Sequence, residues 1–262
     1  MLRILAGAVL APLTIAAAYF GGWLWVVLAT LATMGMYAEW LFVVQAMRPR
    51  LTAAGAVPLA AAGAALALGL SGWALLAIAV GLVAVAALAS VNRVWALAGL
   101  LYAAAALFGA VLVRADLQSG FIALLFVLLV VWMTDIGGYF AGRGIGGPKL
   151  WVRVSPKKTW AGAIGGFAGS LAVAAGFAAS GLGRMVPLLL LGAVLSVVSQ
   201  LGDLFESAVK RRFGVKDSSN VIPGHGGLLD RLDGFVAAIV MAAVIGVMRG
   251  GLDGAGRGLM MW

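Results

Sequence analysis

The chain has 262 residues, 64% of them hydrophobic and only 10% charged, with a formal charge of +9 and no cysteine. Soluble domains carry about 25% charged residues, so an ordinary soluble domain is excluded, and the missing thiols exclude disulfides and thiolate chemistry. The positive charge does not call for a nucleic-acid partner: in a membrane protein, basic loops set orientation and meet anionic lipid headgroups.

Apolar runs predict spans at 4–20, 22–45, 55–71, 73–89, 94–113, 121–141, 161–180, 185–202 and 235–249. All are expected as α-helices, because they lack the period-two alternation of barrel strands. The fold class is therefore all-α, a polytopic integral membrane protein of about nine transmembrane helices. Arg3, the apolar run after it and Ala16-Ala17-Ala18 imitate a signal peptide, but the charge count favours a retained helix. With the N-terminus inside, fourteen of the eighteen Lys and Arg fall on inner segments, against Arg114, Arg184, Arg249 and Arg257 outside. That asymmetry predicts a cytoplasmic N-terminus, cytoplasmic loops at 143–160 and 203–234, and an outward C-terminus in the inner membrane.

Residues 1–120 form an N-terminal set of about five spans and are chemically quiet except for Glu39. An intramembrane carboxylate is a functional candidate by default; the alternative is a residue near a helix end, reaching the interface close to Arg48. Residues 121–262 are expected to form the catalytic region. Span six ends in Asp135-Ile136-Gly137-Gly138-Tyr139-Phe140-Ala141-Gly142-Arg143. A lone carboxylate in lipid is costly, so Asp135 should face the bundle interior or a polar cavity. The loop that follows holds Ser155, Lys157, Lys158 and Thr159 just before a helix start, where free N–H groups suit a phosphate. Span seven carries Gly162/Gly166 and Gly165/Gly169 at the spacing of closely packed helices. Span eight ends in Ser196, Ser199 and Gln200, and the glycine-rich tail from Arg249 is expected to fray.

The stretch from Asp203 to Asp233 holds five of the nine acidic residues, five of the eighteen basic ones and the single histidine, His225. If 203–213 is helical, Asp203, Ser207 and Lys210 share one face. Asp230 and Asp233 are i, i+3 partners at the start of the next helix. Carboxylates from two helices suit Mg²⁺, which takes one or two protein carboxylates and fills its other positions with water and phosphate. Lys210, Arg211 and Lys216 could neutralise more phosphate oxygens. The turn Pro223-Gly224-His225-Gly226-Gly227 allows close backbone approach to an anion. The combination points to phosphoryl or nucleotidyl transfer.

Ser207-x-Val209-Lys210-Arg211, Lys216-Asp217-x-Ser219 and Ile222-Pro223-x-His225-Gly226-Gly227-Leu228-x-Asp230-Arg231-Leu232-Asp233 resemble, without mismatch, the signature of the phosphatidate cytidylyltransferases, or CDP-diacylglycerol synthases. Ser155-Pro156-x-Lys158-Thr159-Trp160 resembles a second element of that family, which often has an acidic residue where this chain has Ala161. The resemblance implies a Mg²⁺-dependent enzyme, with a second cation an option, that turns CTP and phosphatidic acid into CDP-diacylglycerol and pyrophosphate. It implies Asp203 and Asp230 as leading metal ligands and Asp217 and Asp233 as second-rank ligands or orienters of the basic residues. Lys158, Lys210 and Arg211 would stabilise the leaving group. Ser155, Thr159, Ser207, Lys216 and Asp135 would line the substrate site. His225 is open between a general-base role and a turn-stabilising or phosphate-bonding one. The partners are membrane lipids and the two substrates, with a homo-oligomer left open. Two alternatives stand beside this reading: a CTP-dependent lipid-alcohol kinase, and a transporter with Glu39 and Asp135 in its pathway.

Overall fold

The computed structural model describes residues 2–219 and 226–262, apart from the side chains of residues 2–10. Nine long helices run in chain order among them: α1 (Leu2–Phe20), α2 (Gly22–Val43), α3 (Pro49–Ala67), α4 (Ser71–Leu88), α5 (Arg93–Ala115), α6 (Gly120–Gly144), α7 (Trp160–Ala179), α8 (Met185–Arg212) and α9 (Leu229–Gly250). Eight of these, α2 to α9, are long and apolar enough to cross a membrane, and the described apolar part of α1 is Ala11–Phe20. The all-α polytopic expectation holds.

Three features differ from the sequence reading. Helix α3 starts at Pro49, earlier than the apolar run, because proline in the first turn lacks only an N–H that the helix would not have used. Helix α8 does not stop where its apolar run ends. It continues through the charged stretch to Lys210, Arg211 and Arg212, cations that complement the negative end of the helix dipole. The loop between α6 and α7 contains an antiparallel hairpin, β1 (Lys149–Trp151) and β2 (Ser155–Thr159), in register Lys149↔Thr159 and Trp151↔Ser155.

The tail corrects a fourth expectation. It does not fray: a 3₁₀ turn at Leu252–Gly254 leads into α10 (Ala255–Met260), which packs on α6. Buried Asp116 accepts from the Arg257 backbone N–H at 3.0 Å and from its Nε at 2.9 Å. The Arg249 guanidinium lies over the Trp262 ring, 3.4 Å from its centroid, a cation–π contact.

The chain packs as two compact units. One comprises Met1–Val111 with Val209–Leu232, the other Leu112–Ala208 with Asp233–Trp262. In the first, Tyr37 and Trp40 of α2 are fully buried. The Trp40 indole donates to the Trp95 carbonyl at 2.8 Å and stacks on Tyr102 of α5. The end of α8 is fastened there too: Trp95 meets the Phe213 ring edge-on, and the Arg212 guanidinium lies over Trp95. In the second unit, α6 and α7 meet backbone to backbone. A methyl group on Gly166 would collide with the Thr134 carbonyl of α6, and one on Gly137 with the Gly165 carbonyl of α7. The small-residue packing expected for α7 is present.

Candidate active site

In the second unit, the residues singled out from sequence converge at one end of α6, α7 and α8. The hairpin β1–β2 carries Lys158 to this end. Thr159 closes the hairpin and caps α7, accepting from the Gly162 N–H at 3.1 Å through its side-chain oxygen. Lys158, the residue before this cap, forms an ion pair with the Asp203 carboxylate of α8. Ser207, one turn further along α8, donates to Asp203 Oδ1 at 3.4 Å.

Helix α9 delivers a second carboxylate to Asp203. The two helices approach through Gly202 and Gly234, where an added Cβ would strike the Ala237 methyl or the Ser199 hydroxyl. This close approach sets Asp233 against Asp203, with Glu206 and Asp135 also near enough to act on its charge. Asp203, Glu206 and Asp135 thus lie within electrostatic reach of Asp233, and Lys158 pairs with Asp203. Thr134 donates to Ser196 at 2.9 Å, and Gln200 donates to the Ala163 carbonyl at 3.4 Å, so the polar end of span eight ties α8 to α6 and α7. Ser155 is half-buried in β2, paired in register with Trp151.

In the first unit, Lys210 and Asp230 pair at 2.5 Å. Asp230 is engaged by protein donors on both oxygens: Oδ2 accepts from the Ser218 N–H at 2.9 Å and the Gly227 N–H at 2.9 Å, and the Ser218 hydroxyl lies 3.0 Å away. A carboxylate so engaged is built to hold a loop and a lysine. Arg211 is exposed and donates to the Val215 carbonyl at 3.3 Å, closing the end of α8. Lys216 and Asp217 are exposed and line a cavity of about 670 Å³ with Gly35, Glu39, Phe42 and Leu228. His225 lies outside the described residues.

Among the described residues, no three His, Cys, Asp or Glu side chains are placed to hold one metal ion. Mg²⁺ does not demand three; one or two carboxylates with water and phosphate are its usual set. Asp203 and Asp233 fit that requirement by donor chemistry and proximity.

Sequence reasoning assigned no role to Glu206 or Ser218. Glu206 carried a signal, being one turn from Asp203 in the charged stretch. Ser218 carried none, since nothing local marks a serine whose partners lie on another helix.

The family model for the cytidylyltransferase family matches residues 1–248. The chain belongs to the cytidylyltransferase family. Its relatives include the phosphatidate cytidylyltransferase of Brucella suis, 52% identical over 161 residues, which covers 60% of this chain and 58% of that protein. The phosphatidate cytidylyltransferase of Bacillus subtilis is 46% identical over 124 residues, 45% of each chain. That of Haemophilus influenzae is 44% identical over 130 residues, 47% of this chain and 45% of its own. The matched stretch thus spans 58% of the length of the first of these cytidylyltransferases and 45% of the other two.

Proposed function

We propose that this family member transfers the cytidylyl group of CTP to phosphatidic acid, giving CDP-diacylglycerol and pyrophosphate for phospholipid biosynthesis. The observation that carries the reading is the pairing of Lys158 with Asp203 beside Asp233, in a chain whose relatives bear the name of that activity. A phosphatidate oxygen attacks the α-phosphorus of CTP. The bond from that phosphorus to the oxygen bridging the β-phosphate breaks, and its electron pair leaves with pyrophosphate. The nucleophile is already an anion near neutral pH, so no general base is required.

Mg²⁺ is the cofactor that Asp203 and Asp233 would hold, and when bound it screens the repulsion between the reacting phosphates. Glu206 and Asp135 deepen the negative field that favours a cation there. Lys158 would meet phosphate oxygens of CTP, with Thr159 fixing the helix start beside it and Ser207 orienting Asp203. Ser155 is kept as a candidate contact to the nucleotide. Asp230 holds the Lys210 ammonium; Lys210, Arg211 and Lys216 are kept as cations for phosphate. The inner membrane, with these loops cytoplasmic, is the proposed location.

The test is purified protein with phosphatidic acid, each nucleoside triphosphate in turn, and a Mg²⁺ titration. The expected result is CDP-diacylglycerol and pyrophosphate in equal amounts from CTP, dependent on Mg²⁺. Release of CDP with a phosphorylated lipid alcohol would replace the reading with a lipid kinase.

A further inference from the structure

Glu39 is buried on α2, and its carboxylate accepts four hydrogen bonds. Oε1 accepts from the Ser219 hydroxyl at 2.7 Å and the Leu228 N–H at 2.9 Å. Oε2 accepts from the Ser218 hydroxyl at 2.8 Å and the Leu229 N–H at 2.7 Å. A carboxylate offers about four lone-pair sites, and here all four are used. The donors come in two pairs, one on each side of residues 220–225. Each oxygen takes one donor from each side, so a single side chain holds both ends of the signature loop against α2.

The hold continues past Glu39. The Ser218 hydroxyl faces two carboxylates, Glu39 Oε2 at 2.8 Å and Asp230 Oδ2 at 3.0 Å. Its one proton serves one of them at a time, while the Ser218 N–H holds Asp230 independently. Asp230 in turn grips Lys210. Gly227 makes the arrangement feasible: a side chain there would collide with the Ser218 hydroxyl and the Glu39 carboxylate. A carboxylate with every lone pair taken by a loop is poorly suited to carry ions across a membrane. Nor does it reach toward Arg48 at the interface; it turns to the loop.

We propose that Glu39 is a positioning residue for the signature loop, acting through Ser218 and Asp230 to hold the Lys210 ammonium for phosphate chemistry. The proposal rests on the function given above. Glutamine cannot replace it: an amide offers one oxygen, and its N–H₂ group turns donors toward the donors that face the other. One oxygen's pair of bonds is then lost.

The experiment uses the full chain with Glu39→Gln, Lys210→Met and the double variant. Steady-state kinetics with CTP and phosphatidic acid are read beside hydrogen exchange of peptides covering 214–219 and 226–232. Glu39→Gln is expected to speed exchange in those peptides, leave exchange in α3 and α4 unchanged, and lower kcat by roughly ten- to a hundredfold. The double variant should be no slower than Lys210→Met alone, because both changes remove one function. Losses that multiply in the double variant, or exchange that stays at the wild-type rate, would overturn the proposal. Ser219→Ala guards against a variant that does not fold: it removes one donor, keeps the charge, and should give a smaller rise in exchange at the same peptides. No rise there counts against the clamp as well. Wild-type protein that makes no CDP-diacylglycerol would remove the proposed function, while the exchange result would still decide whether Glu39 holds the loop.

Discussion

The Lys158 ammonium of the β-hairpin and the Asp203 carboxylate of α8 are paired, each about 29% exposed. At that exposure the pair adds little to stability. Its consequence is placement: a lysine from a short loop is aimed at the carboxylate that α8 brings to the same corner.

Lys158→Met keeps the apolar stem and removes the charge. The expected outcome is a raised KM for CTP, by roughly ten- to a hundredfold for one charge-assisted contact, with the KM for phosphatidic acid less affected. Initial rates across both substrate concentrations check it. An unchanged CTP dependence would move the hairpin out of the active site.

Asp203→Asn and Asp233→Asn keep size and hydrogen bonding and remove charge from the two carboxylates that stand together. Each is expected to slow pyrophosphate release by on the order of a hundredfold to ten-thousandfold, several kcal/mol of transition-state stabilisation, and to shift the Mg²⁺ titration to higher concentration. Asp253→Asn, on the exposed tail turn, serves as the control. Wild-type Mg²⁺ dependence in both variants would remove the metal from this pair.

The tail is expected to loosen in acid. Burial pushes the Asp116 carboxyl up, but hydrogen bonds from the Arg257, Ser119 and Gln118 backbones and the Arg257 side chain outweigh it and hold it below its ordinary value. A depressed carboxyl contributes stability above the unfolded value, about 3.9, and loses it as pH falls through the folded value. A spin label on a cysteine at position 253, in a chain with no other thiol, should gain mobility as the pH drops from neutral to below about 4. Asp116→Asn should flatten that dependence. A label equally mobile at all pH values would show that the tail is not docked.

Labels can also test orientation. Helix α6 has 25 residues and so measures roughly 37 Å, more than the hydrocarbon core. Cysteines at Leu117 and Lys157, exposed positions beyond its two ends, should react with impermeant reagent from opposite faces of the membrane, Lys157 from the cytoplasmic one. Reaction from the same face would end the α6 span.

The spans were legible because hydrophobic length is a local property. What the sequence hid depends on distant partners or on short elements. Strands of three and five residues in a basic, glycine-rich loop leave no periodic signal. The tail looked disordered because its anchor, Asp116, lies 141 residues away. Glu39 stood out as a buried charge, but its loop partners begin 179 residues later, so its use could not be read from its surroundings. The signature flagged both Asp230 and Asp233. Only packing separates them: one is held by the Lys210 ammonium and by backbone N–H groups of the loop, and the other is set against Asp203.

The backbone contact between α6 and α7 has a mechanical consequence. Helices that touch at Gly137, Gly165 and Gly166 have only a small methyl, that of Ala141, between their backbones and no large side chains to compress or rotate. The pair should therefore move as one stiff bracket when the bilayer thins, thickens or bends. Asp135 sits on one arm, and the hairpin bearing Lys158 feeds directly into the other. Membrane deformation would then shift both groups together and leave their spacing unchanged.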